Sequence, residues 1–299
     1  MKKPNIPNPL NENILIYIDG ELYSRDEAKI SVFDSLAQGG DGVWEGLRVY
    51  NGKVFLLDEH LQRLQDSARA MAFSAIPSTE EIKSALFKTL EANKMRDGVH
   101  IRLTLSRGKK VTSGMSPHWN QYGSTLIILP EWKPPVFDSK GVRLITSSIR
   151  RNPPGCLDSK IHHNNLINNI LAKIEANLAG VDDAVMLDLQ GFVAETNATN
   201  IFFIKKGKVK TPFPDACTPG ITRKLIFKLS KELGIPCEEK RISMAEMYSA
   251  DEAFITGTMG EITPVIDIDG RQISSGEITL KLQNQFYQKT REMGVKLPF

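Results

Sequence analysis

Residues with chemical potential gather between Asp158 and Phe203. Lys160 stands in a polar turn just before the helix-period run IHHNNLINNILAKIEANLAG, and Glu195 opens the strand-like AETNATNIFF. A lysine amine condenses with aldehydes to form Schiff bases when it is desolvated or otherwise lowered in pKa. Position 160 suits this, because polar turns precede it and a helix with a buried face is expected to follow. If Lys160 and Glu195 face one cavity, the pair suits a cofactor that needs an amine at one end and a carboxylate at the other. Lysine and arginine together number 38, so Lys160 taken alone would be read as a solvated surface group, and the surrounding sequence has to carry the assignment.

The chain has 299 residues, 41% hydrophobic and 24% charged, which is the balance of a globular protein and not of a disordered or collagen-like one. That length supports one large domain or two of moderate size. Net charge is +3, with basic residues interspersed among acids, and no basic stripe with interleaved aromatics points to nucleic acid. No run of about 18 apolar residues suits a membrane span. The opening MKKPNIPNPLNEN lacks the apolar core of a signal peptide. Three cysteines, Cys156, Cys217 and Cys237, are odd in number and widely spaced. They fit neither a disulfide framework nor a zinc site, so no metal is expected and a reducing cytoplasm is the simplest location.

The elements that must position Lys160 and Glu195 are legible in outline. ILIYI, Asp19-Gly20 and ELY read as strand, tight turn and strand, and VWEGLRVY, Asn51-Gly52 and KVFLL form a stronger hairpin signal. Asp58 stands where an N-cap is expected, ahead of a helix with Leu61, Leu64, Ala68 and Met71 on one face and Arg63 in its first turns. Ser78 with Glu81 makes a capping box before a helix whose Ile82, Leu86 and Leu90 share a face. VHIRLTLS alternates, which places His100, Arg102 and Thr104 on one side and Ile101, Leu103 and Leu105 on the other. A long polar loop, RGKKVTSGMSPHWNQYG, follows, and loops of that length are more often functional than idle.

Pro130, Pro134 and Pro135 in PEWKPPVFDSKG read as a linker, dividing the chain into a small N-terminal domain over 1–130, a linker over 131–141 and a larger C-terminal domain over 142–299. In the second part, the helix after Lys160 carries Leu166, Ile167, Ile170, Leu171, Ile174 and Leu178 on a broad stripe expected to be buried, and ends at Gly180. AVMLDL, FVAE, NIFFIK and KVKT then read as strands, and Pro219-Gly220 opens a further helix. DEAFITGTMGEITPVIDIDG reads as strand, glycine-rich turn and strand.

The run SKIHHNNLINNILAKIEANLAGVDDAVMLD, together with GFVAETNATNIFF, GVWEGLRVY, EHLQRLQDSA, PGITR and ADEAFITGTMGEITPV in this order, resembles the class IV, fold-type IV pyridoxal-phosphate aminotransferases, the family of branched-chain and D-amino-acid aminotransferases. The blocks cover nearly the whole chain. The resemblance implies an α/β (α+β) protein of two domains, a small N-terminal α+β and a larger C-terminal α/β one, with pyridoxal 5'-phosphate between them, and a homodimer. It implies that Lys160 bonds covalently to the cofactor aldehyde and moves a proton, and that Glu195 pairs with the protonated ring nitrogen. Arg63 matches the arginine on the cofactor phosphate, and Ile221 and Thr222 match the phosphate-binding turn, where orphan helix amides favour an anion. Thr258 matches a further phosphate contact, in a turn that also presents Met259 and Gly260 to the substrate carboxylate.

The implied activity is transfer of an amino group from a branched-chain L-amino acid to 2-oxoglutarate, with a D-amino-acid aminotransferase or 4-amino-4-deoxychorismate lyase as alternatives. Arg102 aligns with an arginine serving a distal carboxylate, and Trp44, Arg48 and His100 are expected to line the same pocket. Asn165 and His100 replace tyrosines of the branched-chain enzymes, and the long loop lacks the arginine–x–histidine pair of the bacterial D-amino-acid enzymes. Asn197 and Thr218 also depart from the family pattern.

Overall fold

The computed structural model describes residues 6–138 and 140–299. The chain forms two compact units that divide at Pro134 and Pro135. The first also takes in Ile161–Asn165 and Met293–Phe299, and the second comprises Pro135–Lys160 and Leu166–Glu292. Lys160 therefore ends a stretch of the second unit, and the five residues after it belong to the first.

The first unit contains β1 (Leu15–Ile18), β2 (Glu21–Ser24), α1 (Ser35–Gly39), β3 (Gly42–Tyr50), β4 (Lys53–Val54), α2 (Leu57–Ala70), α3 (Thr79–Ala92), β5 (Val99–Ser106) and β6 (Thr125–Trp132). Asn51 and Gly52 take positive φ of 47° and 74°, as a two-residue hairpin turn between β3 and β4 requires. β5 alternates as its sequence reads: Val99, Ile101, Leu103 and Leu105 are buried, and they join Leu57, Leu61 and Leu64 of α2 and Ile82, Leu86 and Leu90 of α3 in one core. The Ser78–Glu81 capping box is formed. Pro130 lies within β6, where the strand runs on past the first proline of the expected linker.

Two expectations fail here. α2 starts at Leu57 with Leu56 as its N-cap in the left-handed region, and it has no side-chain cap. Asp58 is inside the first turn, where it pairs with Lys83 at 2.9 Å. The strand expected over KVFLL is cut to two residues, because the chain bends into the helix at once.

The second unit contains β7 (Val142–Thr146), α4 (Ile167–Leu178), β8 (Asp183–Leu187), β9 (Val193–Thr196), β10 (Asn200–Lys205), β11 (Lys208–Thr211), α5 (Ile221–Glu232), β12 (Cys237–Glu239), α6 (Met244–Tyr248), β13 (Glu252–Gly257), β14 (Glu261–Ile268), β15 (Arg271–Gln272) and α7 (Glu277–Glu292). Its sheet runs β12-β11-β10-β13-β14-β7-β8-β9, with β15 beside β14. The β14–β7, β7–β8 and β11–β12 pairs are parallel, and the crossover from β7 to β8 passes through α4.

α4 corrects a third expectation. Ile167, Ile170, Leu171, Ile174 and Leu178 are between 44% and 84% exposed. The helix instead buries Ala172 and Ala176, which pack on Ala184 and Met186 of β8. Small side chains permit the close approach to the sheet, so the larger ones point outward.

The C-terminus returns to the first unit as β16 (Val295–Lys296), which pairs with β4 and completes the order β16-β4-β3-β5-β6-β1-β2. Leu297, 3% exposed, enters the first core. Leu297→Ala is expected to destabilise the protein by about 2–5 kcal/mol, the usual cost of emptying a buried leucine site. Urea unfolding checks this, and an unchanged midpoint would mean that the C-terminal residues contribute nothing to that core.

Candidate active site

In the second unit the site is built around Glu195 in β9. The residue is only 4% exposed. Its Oε1 pairs with Arg151 Nη2 at 2.8 Å, and its Oε2 accepts from Asn200 Nδ2 and from the Thr218 amide, each at 3.2 Å. A carboxylate has about four acceptor positions, so three donors leave room for one more. Burial pushes the Glu195 carboxyl above its usual pKa, and Arg151 offsets this only in part. The acid is therefore short of positive charge, the condition a protonated ring nitrogen would relieve.

Arg151 also donates to Ser159 Oγ at 2.8 Å, which pins the turn carrying Lys160. Ser159 is buried, whereas the Lys160 side chain is 47% exposed and its Nζ lies 3.8 Å from Asp158 Oδ1. The expectation that Lys160 is desolvated is not met, since nearly half of its side chain is exposed. The amine is instead reachable by an aldehyde.

On the other side of Glu195, Asn200 Nδ2 also donates to Thr218 O at 2.8 Å. A Cβ added at Gly220 would lie 2.1 Å from Asn200 Oδ1, so a larger residue would push the Asn200 side chain from its place. Gly220 is the N-cap of α5 and, lacking a side chain, makes no capping bond. The first amides of a twelve-residue helix, at Ile221, Thr222 and Arg223, are thus without a side-chain cap and favour an anion. Thr258, Met259 and Gly260 form the turn between β13 and β14, and Thr199 Cγ2 lies 3.3 Å from where a Gly260 Cβ would be. Met259 O accepts from the Val136 amide at 2.9 Å.

The Thr196–Thr199 turn beside Glu195 is held by Thr196 Oγ1, which accepts from the Thr199 amide at 2.9 Å and donates to Asp183 at 2.8 Å. Burial pushes the Asp183 carboxyl up to about 6. Asn197, a departure from the family pattern, latches this turn to β8: its Oδ1 accepts from the Ala184 amide at 3.0 Å. Thr218, the other departure, acts here through its backbone.

In the first unit a second buried carboxylate, Glu45, organises the groups. Arg63 meets it with both arms of its fork, Nε to Oε1 and Nη2 to Oε2, each at 2.7 Å. His60 Nδ1 lies 2.6 Å from Oε2 and His162 Nδ1 lies 3.2 Å from Oε1. Burial alone would push Glu45 up, yet Arg63 and His162 hold it well below the usual carboxylate range. The phosphate role implied for Arg63 is thus narrowed, since two of its nitrogens are committed to Glu45. Among the described residues no hydrogen bond uses its Nη1.

On the sheet surface, Arg102 Cζ is 3.4 Å from the centre of the Trp44 ring, and His162 stacks on Trp44 with centroids 4.3 Å apart. Arg48 is opposite His100 and Gly46 is opposite Arg102 in the β3–β5 ladder, so these side chains share one face. Asn165 is exposed in the first unit.

Arg151, Glu45, Ser159 and His162 were missed at the level of sequence. Glu45 did leave a signal, an acid in the core-facing register of Val43, Leu47 and Val49. Arg151, in the irregular RNPPG stretch, left none.

A model of the class IV amino-transferase family matches residues 42–268, and the chain belongs to that family. Its members use pyridoxal 5'-phosphate, and the mixed helix and strand architecture is that of fold-type IV. Among curated relatives, the chain is 58% identical to branched-chain-amino-acid aminotransferase-like protein 2 of Arabidopsis thaliana, over 99% of this chain and 54% of that protein, so it spans about half of that relative's length. It is 42% identical to a putative branched-chain-amino-acid aminotransferase of Methanocaldococcus jannaschii, over 94% of this chain and 98% of that one. Among solved structures, a T.th. branched-chain amino acid aminotransferase complexed with N-(5'-phosphopyridoxyl)-L-glutamate matches with a TM-score of 0.87 and 33% identity, over 94% of this chain and 95% of that one.

Burial lowers His100 to about 4, with Lys133, Arg48 and Arg102 adding to the effect. The unfolded chain, with its histidine near 6.5, binds a proton that the folded chain refuses, so stability from this residue is full above about pH 6.5 and is lost as pH falls towards 4. His100→Gln is expected to flatten that slope. Urea unfolding from pH 4 to pH 7 checks it, and equal slopes for the two proteins would contradict the buried neutral imidazole.

Proposed function

We propose that this chain is a pyridoxal-phosphate aminotransferase that moves the amino group of a branched-chain L-amino acid to 2-oxoglutarate. The observation that carries the reading is Glu195: a buried acid, short of positive charge and with an acceptor position to spare, joined through Asn200 and Thr218 to an uncapped helix N-terminus. That is the pattern required by a ligand with a cationic ring nitrogen and a phosphate. The relatives' names support the branched-chain substrate, and the glutamate adduct of the T.th. enzyme supports the 2-oxoglutarate partner.

When bound, the cofactor supplies an aldehyde for the amino group and a ring that draws electrons from the substrate Cα. Lys160, through its exposed amine, would hold the cofactor at its aldehyde end and would move the proton at the substrate Cα. Glu195 holds the ring nitrogen protonated. The Ile221 and Thr222 amides and Thr258 bind the phosphate, with Arg63 as the cation. Met259 and Gly260 receive the substrate carboxylate, and Trp44, Arg48, His100 and Arg102 the remainder of the substrate. The three cysteines, all free, support a cytoplasmic setting, and among the described residues no helix is long and apolar enough to cross a membrane.

The test is a half-reaction: the purified chain, loaded with cofactor and free of keto acid, is mixed in turn with L-leucine, L-glutamate, D-alanine and D-glutamate. L-leucine and L-glutamate alone are expected to shift the absorbance from the aldehyde to the amine form. A shift with the D-amino acids would move the assignment to a D-amino-acid aminotransferase, and silence with all four would favour the lyase. Lys160→Ala is expected to lose all cofactor that borohydride can fix; retention would remove the lysine from its role.

The outward stripe of α4 supports a homodimer, with a second copy of the chain covering Ile167, Ile170, Leu171, Ile174 and Leu178. Light scattering is expected to give twice the chain mass of 33.4 kDa, and Ile170→Glu with Ile174→Glu to reduce it to one chain. A wild-type mass of a single chain would rule the dimer out.

A further inference from the structure

Arg151 is 5% exposed, and its fork meets four side chains. Nη2 lies 2.8 Å from Glu195 Oε1 and donates to Ser159 Oγ at 2.8 Å, while Nη1 donates to Asn168 Oδ1 at 2.8 Å and to Asn169 Oδ1 at 3.2 Å. Its own amide donates to Leu187 O at 2.9 Å, which fixes the backbone as well. Pinned at both ends, the guanidinium is held against the acid. Thr218 and Asn200, the other donors to Glu195, are neutral and bond at 3.2 Å. Arg151 is thus the cation in direct contact with Glu195, and a charge-assisted bond at 2.8 Å in a dry site outweighs both neutral donors.

We propose that Arg151 is a positioning residue that keeps Glu195 in its carboxylate form, and through that acid sets how tightly and in which protonation state the pyridine ring nitrogen is held. The inference rests on the pyridoxal-phosphate reading above. Without Arg151, burial raises the Glu195 carboxyl further, and a neutral carboxyl does not hold a pyridinium. The bonds to Ser159, Asn168 and Asn169 keep the guanidinium in place and are not themselves the reason for its charge.

The experiment uses the full chain with cofactor labelled with nitrogen-15 in the ring. It reads the nitrogen chemical shift by NMR and the dissociation constant by equilibrium dialysis across about pH 6 to pH 9. The unaltered chain is expected to show a protonated ring nitrogen and nearly constant affinity. Arg151→Met is expected to bind about tenfold or more weakly at the acid end, to recover towards the alkaline end as Glu195 ionises, and to show an unprotonated ring nitrogen where binding is weak. Arg151→Lys, which keeps the charge, is expected to stay within about threefold of the unaltered chain. In a Glu195→Gln background, Arg151→Met is expected to change affinity by less than about threefold, because the acid through which it acts is gone.

If Arg151→Met does not fold, Arg151→Gln, which loses the charge but keeps hydrogen-bonding groups, carries the same expectations. An Arg151→Met protein with unchanged affinity and nitrogen shift would overturn the inference. So would an equal loss in the Glu195→Gln background, which would mark Arg151 as structural only. Failure of the unaltered chain to bind the cofactor would overturn the functional reading, and this inference with it. Normal binding by the unaltered chain with an indistinguishable variant overturns the inference alone.

Discussion

A carboxylate removed from water is costly unless positive charge and hydrogen bonds replace the solvent it loses. The second unit accepts that cost at Glu195 and arranges much of its local structure to meet it. Arg151 comes from the irregular segment after β7, Asn200 from the start of β10, and the Thr218 amide from the approach to α5. Arg151 and Thr218 lie in connecting segments and Asn200 at the first position of its strand, so none comes from the middle of an element. The sheet therefore fixes their positions while leaving their side chains free to converge.

Glu45 faces the same problem in the first unit and reaches the opposite state. Two bonds from Arg63, one close contact with His60 and another with His162 surround both its oxygens, and its carboxyl stays well below the usual range. Among the described residues, Glu195 has one cation in direct contact, two long neutral bonds and a raised carboxyl. The contrast separates their roles: Glu45 is complete within the protein and serves to aim Arg63 and His162, whereas Glu195 keeps an acceptor position that a cationic ligand would fill. A buried acid that its own chain satisfies is architecture. One left partly unsatisfied is an invitation to a ligand.

What could be read from the sequence follows from the range of the interactions concerned. The turn at Asn51-Gly52, the Ser78 capping box and the alternation of β5 are written within a few residues, and each is found as read. Lys160, Glu195 and the PGITR turn were visible because their motifs are also local strings, although their roles came from resemblance. Arg151 was not visible: it acts on a residue 44 positions away, from a segment without periodicity. The start of α2 was misplaced because Asp58 has the right type for a cap but lies inside the first turn, where it pairs with Lys83. The apolar stripe of α4 was assigned to the interior because periodicity shows that a face is apolar and not what covers it; the alanines on the opposite face allowed closer packing on β8.

The misreading of α4 bears on the site itself. Asn168 and Asn169, in the first turn of that helix, hold the Nη1 side of Arg151, and Asn169 Nδ2 donates to Asn197 O at 2.7 Å in the turn beside Glu195. The helix that presents the proposed dimer surface thus begins in the hydrogen-bond network of the cofactor acid. A helix moves nearly as a rigid rod, so whatever steadies its outer face also steadies the two asparagines at its start. With water on the stripe, α4 is held by its alanine face, by these polar contacts and by Glu175, which accepts from Ser147 Oγ at 2.5 Å and from the Ser148 amide at 2.8 Å. With a second copy covering it, large apolar area would be added to the same rod, and the position of Arg151 relative to Glu195 would be set more firmly. A second copy on the stripe would thus act on the surroundings of Glu195 through two amide side chains in the first turn of α4.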